Sequence, residues 1–467
     1  MSVLDIISAK GNKTKEFNNG DKIGYAFGDL GCGAFFMFVS SYLMLFYTDI
    51  LGISATAVGT LFIVARVWDA INDPIMGVIV DKNKHTEHGK FKPYIVKYGI
   101  PMSLVGILAF TAIPGLPDNM KVPYAYVTYI AFGMLYTAVN IPYGSLASVM
   151  TSDPNERTAL STFRNIGSIV ANLLVMLIVP KIVFTNGVVT AGGFLKCAII
   201  FAIISSISYM ITFRLTTERI VHKADTTKKV SVGNTLKILI KNRAFIGVTL
   251  ASFTMLAAMF TGSSLNAYLY KEYFNNANLI SLGGIATILP TFAVLPFVGM
   301  IVKRFGKKEA TIGGSILAML VYLVLFIMPI TNPYVYIGLT MVAGLGTGLV
   351  NALIWALVAD VIDYQEYLSG DRNEGIVYSS YSLCRKLSQA IAGGVGGFAL
   401  GFLGYQSGAT MQAEAVGVGI KNIICGANFV GLALTALILT FVYNLSKNKL
   451  SSVNEELNKK RMEACAE

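Results

Sequence analysis

Residues 61–80 read LFIVARVWDAINDPIMGVIV, an apolar run interrupted by Arg66, Asp69, Asn72 and Asp73. Positions three, four and seven apart share one face of a helix, so the four side chains form a single polar stripe. Two carboxylates one turn apart repel unless one keeps a proton or the two share a cation. Asn72 adds a neutral oxygen, which suits a hard cation. The chemistry open to this stripe is reversible binding of a proton or a sodium ion, with sodium held at Asp69 and Asp73. The competing reading is an internal salt bridge from Arg66 to Asp69 or Asp73 that only holds helices together.

Further along, YIAFGMLYTAVNIPYGSLASVM sets Tyr136, Asn140 and Gly144 one turn apart on one face, with Thr137 and Tyr143 nearby. Aromatic rings stack on the apolar face of a pyranose and amides bond its hydroxyls, so this face suits a sugar. Interhelical hydrogen bonding explains Thr137 or Asn140 equally well. Arg164 lies in STFRNIGS, and Arg385 and Lys386 are adjacent in YSSYSLCRKLSQAIAGG. Arg385 can snorkel or pair with a neighbouring helix. Asp29, in GYAFGDLGCGAFF, stands behind Asp69 and Asp73 as a candidate because it can equally lie at the cytoplasmic end of its helix. The glycines of AGLGTGL and AGGVGGFALGFLG read as close helix packing. His85, His88 and His222 all fall in loops, and the five cysteines are scattered without metal spacing, so neither a structural metal nor a disulfide framework is expected.

These residues need elements that place them in lipid. The chain has 467 residues, 54% hydrophobic and 13% charged, with mean hydropathy +0.62. A soluble fold carries nearer a quarter charged residues. Apolar runs fall at about 24–48, 55–80, 94–114, 122–150, 158–184 and 195–215, then at 244–270, 281–302, 310–330, 334–362, 375–404 and 420–444. Each approaches the roughly 20 residues that span a bilayer. The fold class is therefore an all-α polytopic membrane protein with twelve transmembrane helices. Residues 1–22 read as a polar cytoplasmic tail, 23–215 as a first six-helix bundle, 216–243 as a central cytoplasmic loop, 244–444 as a second six-helix bundle and 445–467 as a second tail.

The tails and the loops expected on their side hold 27 of the 37 Lys and Arg residues. The opposite loops hold five: Lys121, Lys181, Lys196, Lys271 and Lys421. The rule that positive loops stay inside makes both tails cytoplasmic in a cell membrane. The net charge of +11 is thus a topology signal, and no nucleic-acid partner is expected. The halves echo each other: GVIVDK from Gly77 with Gly89-Lys90 after span two, and GMIVKRFGKK from Gly299 after span eight. Two halves of six helices with this repeated basic loop point to a major facilitator architecture, whose substrate site lies at mid-membrane.

The stretches YLMLFYTDILGIS, GTLFIVARVWDAINDPIMG, GKFKPYI, GMLYTAVNIPYGSL, DPNERTALSTFR and VADVIDYQEY resemble the glycoside–pentoside–hexuronide:cation symporter family over essentially the whole length. The resemblance implies a cation site at Asp69, Asn72, Asp73 and Thr137. It implies substrate contacts at Tyr136 and Asn140, at Arg164, and in span eleven at Tyr381 and Lys386. Members that carry melibiose bind the galactoside with carboxylates where this chain has Gly33 and Asn140. They have Trp and Gln where it has Gly144 and Tyr381.

The cation half of the site is kept and the galactoside half is not, so a xyloside or other pentoside is expected over melibiose. Loss of the span-four carboxylate favours proton over sodium, because less negative charge weakens a desolvated metal ion more than a proton on a buried acid. The expected activity is symport of a sugar with a proton or sodium ion, by a monomer in the bilayer and without a cofactor. A major facilitator antiporter of another organic solute is the first alternative. A polytopic membrane enzyme is the second, although no nucleophile or metal motif supports it.

Overall fold

The computed structural model describes residues 16–82, 86, 89–151, 153–185, 188–220, 242–369, 374–409, 411–447, 449–453 and 455–457. Twelve long α-helices lie among them. In chain order they are α1 (Asn19–Leu45), α2 (Ala55–Lys82), α3 (Lys92–Ala109), α4 (Asp118–Met150), α5 (Pro154–Val183) and α6 (Ala191–Leu215), then α7 (Arg243–Tyr268), α8 (Ile280–Phe305), α9 (Lys307–Ile327), α10 (Pro333–Ser369), α11 (Glu374–Phe402) and α12 (Glu414–Phe441). A two-residue hairpin, β1 (Phe184–Thr185) with β2 (Val188–Val189), joins α5 to α6.

Nine of these helices are long and apolar enough to cross a membrane by length and composition. The other three are α2, α3 and α11. Arg66, Asp69 and Asp73 lie in α2, and Arg385 and Lys386 in α11. Two bounds move well beyond the sequence reading. Helix α10 runs on to Ser369, and α12 begins at Glu414, which takes Lys421 out of the loop expected there and into the helix.

The chain divides into two compact units, 1–226 with 405–411 and 227–404 with 412–467. In the first, α1 packs against both α5 and α6, and α2 and α3 both pack on α4. Segment 405–411 joins this unit although it follows α11: Tyr405 donates to Asp49 at 2.7 Å and Ser407 to the Ile53 carbonyl at 2.9 Å. In the second, α7 packs on α11 and α12, and α10 packs on α8 and α9. The first helix of each unit ends in a π turn, Phe46–Ile50 after α1 and Leu269–Tyr273 after α7. This is a structural echo between the halves that no sequence motif announced.

Local signals fix the ends. Asn18 caps α1, and Asp21 reaches back to the Asn18 amide in a capping box. Just past α6, Glu218 accepts from the amides of Lys90, Phe91 and Lys92, each at 2.8 Å, which satisfies the start of α3. Gly89 enters that turn at φ 103°, and a Cβ there would lie 2.5 Å from the Glu218 carboxyl group. The neighbouring Arg219 pairs with Asp21 at 2.7 Å. In the second unit the glycines of AGLGTGL are close-packed as expected: a Cβ on Gly346 would lie 2.3 Å from the Gly314 carbonyl of α9.

Candidate functional site

Helices α2 and α4 face each other in matched four-residue steps. Thr137 donates its hydroxyl to Asp73 Oδ1 at 2.9 Å. One turn earlier on both helices, Asp69 lies beside Gly133, where a Cβ would sit 3.0 Å from Asp69 Oδ1. Gly133 therefore clears the space the carboxylate occupies. Asn72 Nδ2 is buried without a hydrogen-bond partner. Turning the amide over would put its oxygen in the same place.

Arg66 bonds Asp69 within the same helix at 3.1 Å, so the internal salt bridge weighed in the sequence is present, and it takes Asp69. The guanidinium also lies 5.7 Å from the Phe36 ring of α1. The other neighbour of Phe36 is Tyr136, stacked at 5.0 Å, and Tyr136 in turn accepts from Asn140 Nδ2 at 3.2 Å. The ring of Phe36 thus links the charged stripe of α2 to the sugar-type face of α4. Neither Phe36 nor Gly133 stood out in the sequence. The only available signal was that 133 lies one turn before 137.

On the other side of α1, Arg164 of α5 donates Nε to Asp29 Oδ1 at 3.1 Å and lies 5.4 Å over the Tyr143 ring. Asp29 is thus inside the bundle and bonded to a candidate substrate residue, a closer involvement than its rank in the sequence reading suggested. Position 144 is open: a Cβ on Gly144 would meet nothing within 4 Å.

Residues 24–447 match the family model described as MFS/sugar transport protein. The chain belongs to that family. It is 36% identical over 434 residues to an isoprimeverose transporter of Lactiplantibacillus pentosus, covering 91% of this chain and 89% of the relative. It is 31% identical over 441 residues to a glucuronide carrier protein homolog of Escherichia coli K12, covering 94% and 95%. The fold is similar to the crystal structure of a D-xylose-proton symporter, with TM-score 0.61 and 16% identity over 92% of this chain and 98% of that one. These findings make the chain a multi-pass membrane transporter of the MFS sugar family, with relatives of the glycoside–pentoside–hexuronide type, and not an enzyme.

In the second unit of this MFS chain, Tyr381 is enclosed by its neighbours. Its side chain is 1% exposed, shares a hydrogen bond of 2.9 Å with Ser252 and packs edge-on to Trp355 at 5.3 Å. It lies in a buried cluster with Phe245, Val248 and Ala251 of α7. Arg385, read as snorkelling or pairing, pairs: its guanidinium lies 4.8 Å over Trp355. Lys386 sits in α11, but its side chain falls outside the described residues. Lys421 is 3% exposed and donates to the carbonyls of Met328 at 3.0 Å and Phe326 at 3.4 Å, capping the end of α9. Lys307, at the start of α9, bonds Asp360 of α10 at 2.6 Å. Among the described residues, no group of three or more His, Cys, Asp or Glu could hold a metal ion.

Proposed function

We propose that the chain imports a glycoside or pentoside together with a coupling cation by alternating access. The observation that carries this reading is the contact of Thr137 with Asp73 across α2 and α4. Asp69 lies one turn away on α2 beside Gly133, and in this reading the buried amide of Asn72 completes the set. A symport cycle needs a group whose charge changes as the ion binds, and two acids in lipid are too costly to keep for packing alone.

The coupling ion is a proton in this reading. Arg66 beside Asp69 offsets one of the two negative charges, and Asn140 supplies none. The lower negative charge weakens capture of a desolvated metal ion more than protonation of an acid such as Asp73, since a carboxylate's proton affinity rises with burial. The substrate contacts are Tyr136, Asn140, Arg164 and Lys386. Tyr381 joins them from α11, where its hydroxyl shares a hydrogen bond with Ser252. Support for a sugar comes from the relatives, whose names specify isoprimeverose in one case and a glucuronide in another. Both tails are cytoplasmic in this reading, and the working unit is a monomer.

The test is uptake into proteoliposomes of isoprimeverose, a methyl xyloside, a glucuronide and melibiose, with a pH gradient or a sodium gradient imposed alone. Accumulation of a xyloside or isoprimeverose under the pH gradient is expected. Stimulation by sodium alone would reverse the ion assignment, and tight uptake of melibiose would overturn the substrate class.

A further inference from the structure

We propose that Asp29 and Arg164 together form a diol-binding pair for the transported sugar, with Asp29 as the acidic hydroxyl acceptor. The inference rests on the sugar-transport reading above.

The pair crosses from α1 to α5 through Arg164 Nε and Asp29 Oδ1 at 3.1 Å. It is not needed to bring those helices together. Gly167 of α5 already packs against the backbone of α1, where a Cβ would lie 2.1 Å from the Ala26 carbonyl. An ion pair within a spanning bundle does not face lipid. Yet the Arg164 side chain is 39% exposed and that of Asp29 13%. The Arg164 side chain is therefore partly accessible, and the carboxylate is shielded without being sealed.

The platform under the pair is rigid. The guanidinium lies over Tyr143, whose hydroxyl donates to the Tyr25 carbonyl at 2.7 Å and whose ring stacks on Tyr25 at 4.7 Å. Gly28 makes room for that ring, since a Cβ there would lie 2.1 Å from it. Next to Tyr143 in the chain, position 144 is open space. A preorganised cation and anion side by side, with the cation partly accessible, fit two neighbouring hydroxyls. One hydroxyl donates to the carboxylate while the other accepts from the guanidinium fork.

The neighbouring positions explain why the acceptor would be needed. Gly33, one turn after Asp29 on the same face of α1, has no polar group. Asn140 gives one amide N–H to Tyr136 and offers a neutral oxygen, not a carboxylate, as acceptor. Among the residues of this face, Asp29 is the one that brings a carboxylate to Arg164. A hydrogen bond to a charged group discriminates by roughly tenfold or more.

The experiment compares wild type, Asp29→Asn and Asp29→Glu in proteoliposomes, using the best sugar of the panel and its monodeoxy analogues. Asp29→Asn is expected to raise KM about tenfold or more, with Vmax and the ion dependence close to wild type. Wild type is expected to bind one deoxy analogue worse than the parent sugar, and Asp29→Asn to show no further loss for that same analogue. Asp29→Glu, which keeps the carboxylate one methylene further out, is expected to recover part of the affinity. It carries the analogue comparison should the amide variant not insert. An unchanged KM in Asp29→Asn, or the same penalty for every analogue in variant and wild type, overturns the proposal and leaves sugar transport standing. No uptake of any sugar by wild type overturns both.

Discussion

Thr137 on α4 holds Asp73 on α2 at 2.9 Å, one turn along both helices from the place where Gly133 gives way to Asp69. Two acids spaced by four thus face a hydroxyl and a gap with the same spacing. The two carboxylates are thereby made unequal, since one accepts from Thr137 and the other pairs with Arg66 beside Gly133.

That inequality predicts different outcomes at position 137. Thr137→Val removes the oxygen and keeps the shape, and should weaken the dependence on the coupling ion by roughly tenfold. Thr137→Ser keeps the hydroxyl and should stay near wild type. Initial uptake rates as a function of proton or sodium concentration measure both. Equal behaviour of the Val and Ser variants would remove Thr137 from the ion site.

Asp73→Asn should abolish accumulation against a gradient while leaving exchange of labelled for unlabelled sugar across the membrane. The amide still accepts from Thr137, so the helices stay packed, but it cannot change charge with the ion. The measurement is uphill uptake beside equilibrium exchange in the same vesicles. Full uphill uptake by this variant would sink the coupling role.

Arg66 and Asp69 should behave as a unit. Arg66→Ala leaves a buried carboxylate without its 3.1 Å partner, a change that costs about 3–5 kcal/mol for a well-buried pair and less here, where both side chains keep 21% exposure. The amount of folded protein in the membrane should fall. In the double variant Arg66→Ala, Asp69→Asn the amount should recover, because neither charge is left alone. Thermal midpoints in detergent give the same comparison. Additive losses in the double variant would show that the pair is not coupled.

Gly133→Ala tests the cleared space. Its methyl group would arrive 3.0 Å from Asp69 Oδ1, so the carboxylate must shift. Ion affinity should drop while expression stays near wild type, since alanine favours the helix by about 1 kcal/mol over glycine. Unaltered ion dependence would mean that Asp69 need not sit against α4.

Glu218→Gln should lower the thermal midpoint without altering the sugar KM. The carboxylate accepts three amides at the start of α3, and a neutral amide accepts them more weakly. A changed KM with an unchanged midpoint would move Glu218 from the scaffold to the transport cycle.

The sequence by itself settled the class of solvent, the place of the helices and the polar stripe on α2. Those features are local: apolar run length reports the bilayer, and a period of three to four residues reports the helix face. The structure's helices fall within a few residues of the runs read from composition, apart from the polar end of α10 and the start of α12. Tertiary structure decided which partner each charge takes. Arg66 could have met either acid and meets Asp69. Asp29 could have stood at a helix end and instead meets Arg164. Tyr381 takes Ser252 as its hydrogen-bond partner, and Lys421 was expected in a loop and caps α9. Each of these depends on how far one helix is rotated and shifted against its neighbour. That register is set by packing between distant segments, such as the close approach of Gly167 to the α1 backbone, and no spacing within a single helix encodes it.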